Sequence, residues 1–176
     1  MLKELGRDDG YETEVDGEKV FLPSPNLNAL LLLRHMLNHF AAIGMTLRQL
    51  LDWGFFWEKN GDKVDKDWLK LVLENFNMIA FFNIINAICV DDLGFDSRIF
   101  PQVQYLPELK ERVLQDTLFP VFDNVDALRP GLIRRVVFKY KRWKTNAWKR
   151  EFCYGESSME SFWWSVRMHI LKPSSI

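Results

Sequence analysis

Residues 25–59 read PNLNALLLLRHMLNHFAAIGMTLRQLLDWGFFWEK, and the fold class follows from this stretch. Ser24 is a helix N-cap, Pro25 occupies the first helical position, where its missing N–H costs nothing, and Gly44 closes the segment. Leu33, Met36, Leu37 and Phe40 recur at helical spacing and form one apolar stripe. Leu31 and Leu32 add apolar surface on the far side, which predicts a first half buried nearly all round. Thr46 with Gln49 three residues later is a capping box. It opens a second helix that runs to about Lys59, stops at Asn60-Gly61, and is expected to turn Leu47, Leu50 and Leu51 inward.

Upstream, Tyr11–Val15 and Glu18–Leu22 alternate and are joined by Asp16-Gly17, a two-residue turn signal. In that register Tyr11 faces Leu22, Thr13 faces Val20 and Glu14 opposes Lys19. A lone hairpin is marginal in water, so this one must pack on the helices or on a sheet from elsewhere. Downstream, Asp65 caps a third helix carrying Leu69, Val72, Leu73 and Phe76. Met78–Val90 supplies a fourth; Asn83 and Asn86 interrupt it, it falls short of the ~20 residues that span a bilayer, and it reads as a buried core helix. Leu93–Gln104 is irregular, and a shorter helix with Leu109, Val113 and Leu118 runs from near Pro107 to Pro120. From Pro130 a long basic helix puts Ile133, Val136, Val137, Tyr140, Trp143 and Ala147 on one stripe, and a last helix runs from Ser157 to before Pro173. The expected fold is mainly α: an antiparallel helical bundle over 25–128, preceded by a short N-terminal β-hairpin within 1–24 and followed by basic helices over 129–176.

Hydrophobic residues at 48% and charged residues at 27% give a core-forming composition and argue against disorder over most of the chain. Cys89 and Cys153 lack CxxC spacing, and no apolar leader opens the chain, which predicts a cytoplasmic protein without a transmembrane segment. The net charge of −1 hides an uneven distribution. Residues 1–128 hold 12 basic and 21 acidic side chains, net −9, and residues 129–176 hold 11 and 3, net +8. Such a dipolar chain either folds its basic part onto its acidic body or offers it to an anionic partner.

Few constellations carry chemistry. His35 and His39, four apart, share one helix face, a spacing that binds zinc when further ligands arrive. Without His-Glu-x-x-His the pair reads first as packing or hydrogen-bonding histidines, or as the lining of a polar cleft, and no metal site is assigned. Arg48 and Asp52 are also four apart, either as an intrahelical ion pair or as an anion-binding arginine held by its aspartate. Asp65-x-Asp67 and Asp91-Asp92 lack the strand that would aim two carboxylates at one metal. Arg129–Arg150 holds nine basic residues and no acid; Arg134, Arg135, Lys139, Lys141, Arg142 and Trp143 are the candidates there for an anionic partner. No phosphate loop, nucleophile elbow or His-Glu-x-x-His is present, which argues against a self-sufficient enzyme.

The runs Leu33-Arg34-His35-Met36-Leu37-Asn38-His39-Phe40 and Gly44-Met45-Thr46-Leu47-Arg48-Gln49-Leu50-Leu51-Asp52-Trp53 resemble the uncharacterised bacterial nucleotidyltransferase family. That family belongs to the polymerase-β-like nucleotidyltransferase superfamily. The similarity extends from near Tyr11 to about Phe95. In the family this region follows a catalytic core with a Gly-Ser element and an Asp-x-Asp strand, neither of which is found in this sequence. The resemblance therefore implies a helical nucleotide- or acceptor-binding region, the hairpin being the last part of an upstream core. Whether a piece of a longer chain or a degenerate member, it would not be a complete transferase alone. It places His35, His39, Arg48, Gln49 and Asp52 on a cleft-facing surface: Arg48 for phosphate, Asp52 as its orienter, the histidines for hydrogen bonds to nucleotide or acceptor. Magnesium would enter only with an upstream catalytic core or partner subunit, and this chain would hold no cofactor itself. The alternative is a stand-alone interaction module that binds nucleic acid or an anionic surface through residues 129–150.

Overall fold

The computed structural model describes residues 10–42, 44–101, 104–120 and 132–155. They form a mainly helical bundle with an N-terminal two-stranded antiparallel hairpin, the class the sequence predicts. The elements are β1 (Tyr11–Val15), β2 (Glu18–Leu22), α1 (Pro25–Ala42), α2 (Leu47–Asn60), α3 (Lys66–Asn75), α4 (Ile79–Asp91), α5 (Pro107–Leu118) and α6 (Leu132–Tyr154). The expected last helix, from Ser157, lies outside the described residues.

The hairpin has the predicted register, with Tyr11 opposite Leu22, Thr13 opposite Val20 and Glu14 opposite Lys19. Asp16 and Gly17 both take positive φ, at 53° and 83°, the primed-turn geometry whose twist matches that of the strands. Val15 and Phe21 remain 54% and 60% exposed, so the helices described do not cover the hairpin. Gly44, at φ 103°, donates its N–H to the His39 carbonyl and stops α1 where the sequence placed the stop. The Thr46–Gln49 box and the Asp65 cap, whose side chain accepts from the Trp68 N–H, both form.

α4 is the central helix, packed against α2, α3, α5 and α6, and Phe81, Phe82 and Ile84 through Cys89 are all buried. Its two asparagines have distinct tasks. Asn83 donates to the Gln104 carbonyl at 3.0 Å and ties down the irregular segment. Asn86, 1% exposed, accepts the indole N–H of Trp53 at 2.9 Å. A buried indole without that acceptor would forfeit about 1–3 kcal/mol, so the polar break in α4 is matched to α2.

Two inward assignments need correction. On α2 the buried residues are Leu50, Trp53, Gly54, Phe56 and Trp57, whereas Leu51 is half-buried and Leu47 is 41% exposed. The rings of Trp53, Phe56, Trp57 and Phe82 contact one another at centroid distances of 5.8–6.3 Å and fill the space the leucines were expected to fill. On α1, Leu31 is 49% exposed, so the helix is buried on one face and not nearly all round.

α6 docks on α1 and α4 through Trp148, Lys149, Phe152 and Cys153. Trp148 and Phe152 each meet the edge of the Phe40 ring, at 5.7 and 6.4 Å, and Arg112 stacks over Trp148 at 3.9 Å. At 100° per residue these four lie roughly opposite the stripe read from the sequence, of which Trp143 and Ala147 are described and half-buried. The docking face is held by charge as well. Lys149 is 3% exposed, donates to Asp116 on α5 at 2.5 Å and sits 4.9 Å from the Phe40 ring centroid. A basic residue of the C-terminal helix is thereby neutralised by an acid of the bundle.

Candidate functional site

α1 and α2 pack together, and each directs its buried arc toward the core, so the candidate polar residues emerge on outward faces. On α1, His35 is exposed and His39 half-buried. The four-residue spacing stacks their rings edge to face with centroids 4.4 Å apart and planes at 64°. Among the described residues neither imidazole makes a hydrogen bond or ion pair. Next to them Asn38 accepts from the Tyr154 hydroxyl at 2.8 Å, a tie between α1 and the end of α6 that no motif announced.

On α2, Arg48, Asp52, Phe55 and Lys59 share one outward face, as their spacing requires. Arg48 Nε lies 3.9 Å from Asp52 Oδ2, and the two side chains are 89% and 59% exposed. At that distance the guanidinium is oriented loosely and keeps its donors for another acceptor. Gln49 is employed locally: its Oε1 accepts from the Thr46 N–H at 2.9 Å and the Thr46 hydroxyl at 3.2 Å. No hydrogen bond or ion pair joins the histidines to Arg48, Gln49 or Asp52 among the described residues, so the structure holds two separate pairs, each on its own helix.

Of the basic set, Lys141 is exposed and Trp143 half-buried, while the side chains of Arg134, Arg135, Lys139 and Arg142 lie outside the described residues. The acidic pairs serve the fold. Asp65 caps α3. Asp91 Oδ2 accepts from the Tyr105 hydroxyl at 2.5 Å and from Lys110 at 3.2 Å, and Asp92 accepts from Lys110 at 2.8 Å. Lys110 offsets the unfavourable placement of two carboxylates at the C-terminus of α4, where the helix dipole is negative. The bond from Tyr105, assisted by Lys110, holds the Asp91 carboxyl below its ordinary range, and the same bond, together with burial, raises the Tyr105 phenol above its own against the opposing charge of Lys110.

Both thiols are free and buried in the core. Burial pushes Cys89 and Cys153 up to about 12, so both stay protonated near neutrality. Among the described residues no three His, Cys, Asp or Glu side chains gather into a metal cluster, and no helix is long and apolar enough to cross a membrane. Comparison with protein-family models, curated proteins and solved structures finds no match for this chain.

Proposed function

We propose that this chain is a helical nucleotide- or acceptor-binding region of a nucleotidyltransferase, contributing anion recognition to a magnesium-dependent catalytic core supplied by another domain or subunit. The observation that carries the reading is Arg48, whose side chain is 89% exposed and, among the described residues, held only by a 3.9 Å contact to Asp52. The core makes no use of that guanidinium, and its planar fork of donors matches phosphate oxygens. Its setting in Leu47-Arg48-Gln49-Leu50-Leu51-Asp52-Trp53, after the His35/His39 helix, supports the family resemblance drawn from the sequence. His35 and His39 then offer hydrogen bonds to nucleotide or acceptor from the neighbouring helix.

The test is a thermal-shift screen of nucleotides, with and without magnesium, on the parent and on Arg48→Ala. Ligand that binds the folded state alone raises the midpoint by mass action, about 2.7 kcal/mol at a hundredfold excess over Kd. A rise in the parent that is lost in Arg48→Ala supports the reading. Equal responses from both remove Arg48 from the site, and no response from the parent to any nucleotide overturns nucleotide binding by this chain.

A further inference from the structure

From the geometry of His35 and His39 we infer a surface chelate for a divalent transition-metal ion of the zinc, nickel and copper class. Both imidazoles project from the outward side of α1, one exposed and one half-buried, and among the described residues neither is engaged by a hydrogen bond or ion pair. The pair is therefore available, and it is already gathered. Two imidazoles sharing one zinc at ~2.1 Å from nitrogen would hold their ring centroids about 5 Å apart. The observed separation is 4.4 Å, with the planes at 64°. Binding one ion then takes an opening of the pair by roughly half an ångström, through the stems that carry the rings, and a turn about χ2, a soft torsion for histidine, that aims one nitrogen of each ring at the metal.

Imidazole nitrogen suits zinc, copper and nickel, whereas magnesium and calcium select oxygen ligands. Among the described residues no third His, Cys, Asp or Glu completes a cluster with the pair, which leaves the ion's other positions open to a further ligand. Such an open site takes a metal with modest affinity and tightens when a further ligand arrives. α1 stays folded without metal because its buried face is supplied by Leu33, Met36, Leu37 and Phe40, which leaves the outward face free to bind.

The experiment is isothermal titration of the full chain with zinc chloride, repeated with nickel chloride, in nucleotide-free buffer. The variants are His35→Ala, His39→Ala and His169→Ala, the last removing the third histidine of the sequence. One ion per chain is expected, with affinity falling about tenfold or more in each of the first two variants and unchanged in the third. Far-UV circular dichroism of the variants shows whether the fold persists, and exposure of the outward face predicts parent-like spectra. Parent-like titrations from both His35→Ala and His39→Ala overturn the chelate. Equal loss in His169→Ala overturns its restriction to this pair. The inference uses the same two histidines as the nucleotide reading but is tested apart from it, because the titration contains no nucleotide and Arg48→Ala is expected to leave it unchanged.

Discussion

Substituting Asp116 with alanine isolates the contact that seats α6. In the folded chain Lys149 is 3% exposed and its ammonium has one carboxylate partner, Asp116 at 2.5 Å, with the Phe40 ring 4.9 Å away. Removing the partner of a buried charge costs about 3–5 kcal/mol, chiefly because the remaining charge is left desolvated. Two features pull the value to the lower end: the Phe40 face still attracts the cation, and the Asp116 side chain is 13% exposed, so water reaches that side. The expected loss is about 3 kcal/mol, or about 6–12 °C in Tm for a domain of this size. Lys149→Met in the Asp116→Ala background removes the stranded charge while keeping the unbranched stem against Phe40, and should bring stability back to within about 1 kcal/mol of the parent. Urea denaturation of the parent, both single variants and the double variant closes the cycle. Additive single effects, or an Asp116→Ala loss under about 0.5 kcal/mol, would show that the ammonium is not desolvated and that α6 is seated by its aromatic contacts alone.

A methyl group at Gly54 would lie 2.3 Å from the Phe95 ring, so Gly54→Ala should destabilise by about 1–3 kcal/mol in urea, and an unchanged midpoint would mean that Phe95 yields freely. Asn86→Leu deprives the Trp53 indole of its acceptor but also removes an amide nitrogen that has no protein partner, so the expected loss is about 1–2 kcal/mol; a variant more stable than the parent would refute the bond's contribution. The Asp91 carboxyl is held down mainly by the Tyr105 hydroxyl, so its stabilising contribution is full above the ordinary aspartate range near 3.9 and is lost as the pH falls through the depressed value. Tyr105→Phe should therefore flatten the dependence of Tm on pH below about 4, and profiles that coincide would rule the bond out.

The sequence is most legible where local chemistry leaves one solution. Asp16-Gly17 fixes the hairpin register because its turn takes two successive positive-φ residues, and Thr46 with Gln49 fixes the start of α2 because their reciprocal bonds span one turn. It is least legible where apolar positions are redundant. α2 carries leucines and aromatics on several sides, and periodicity cannot say that Trp53 and Trp57 go in while Leu47 comes out. That choice depends on an acceptor 33 residues away, Asn86, and on rings from α4. The docking face of α6 was hidden by a charge: Lys149 breaks the apolar pattern of the face that is buried, and only Asp116, brought close by α5, makes its burial tolerable.

The candidate site divides along the same line. Helical spacing sufficed to put His35 beside His39 and Arg48 beside Asp52, since residues four apart are neighbours on any α-helix. It could not say whether the two pairs meet, because that depends on how each helix is rotated about its own axis, and the rotation is set by what the opposite face buries. On α1 that face holds Leu33, Met36, Leu37 and Phe40, and on α2 it holds Leu50, Trp53 and Trp57, so both polar pairs are carried outward by the packing that stabilises the bundle. On the proposed reading, the ligand surface is drawn from these two outward pairs. Removing His35 or Arg48 should then change binding with little effect on unfolding, whereas removing Trp53 or Asp116 should do the reverse, and a side chain that changed both would belong to neither class.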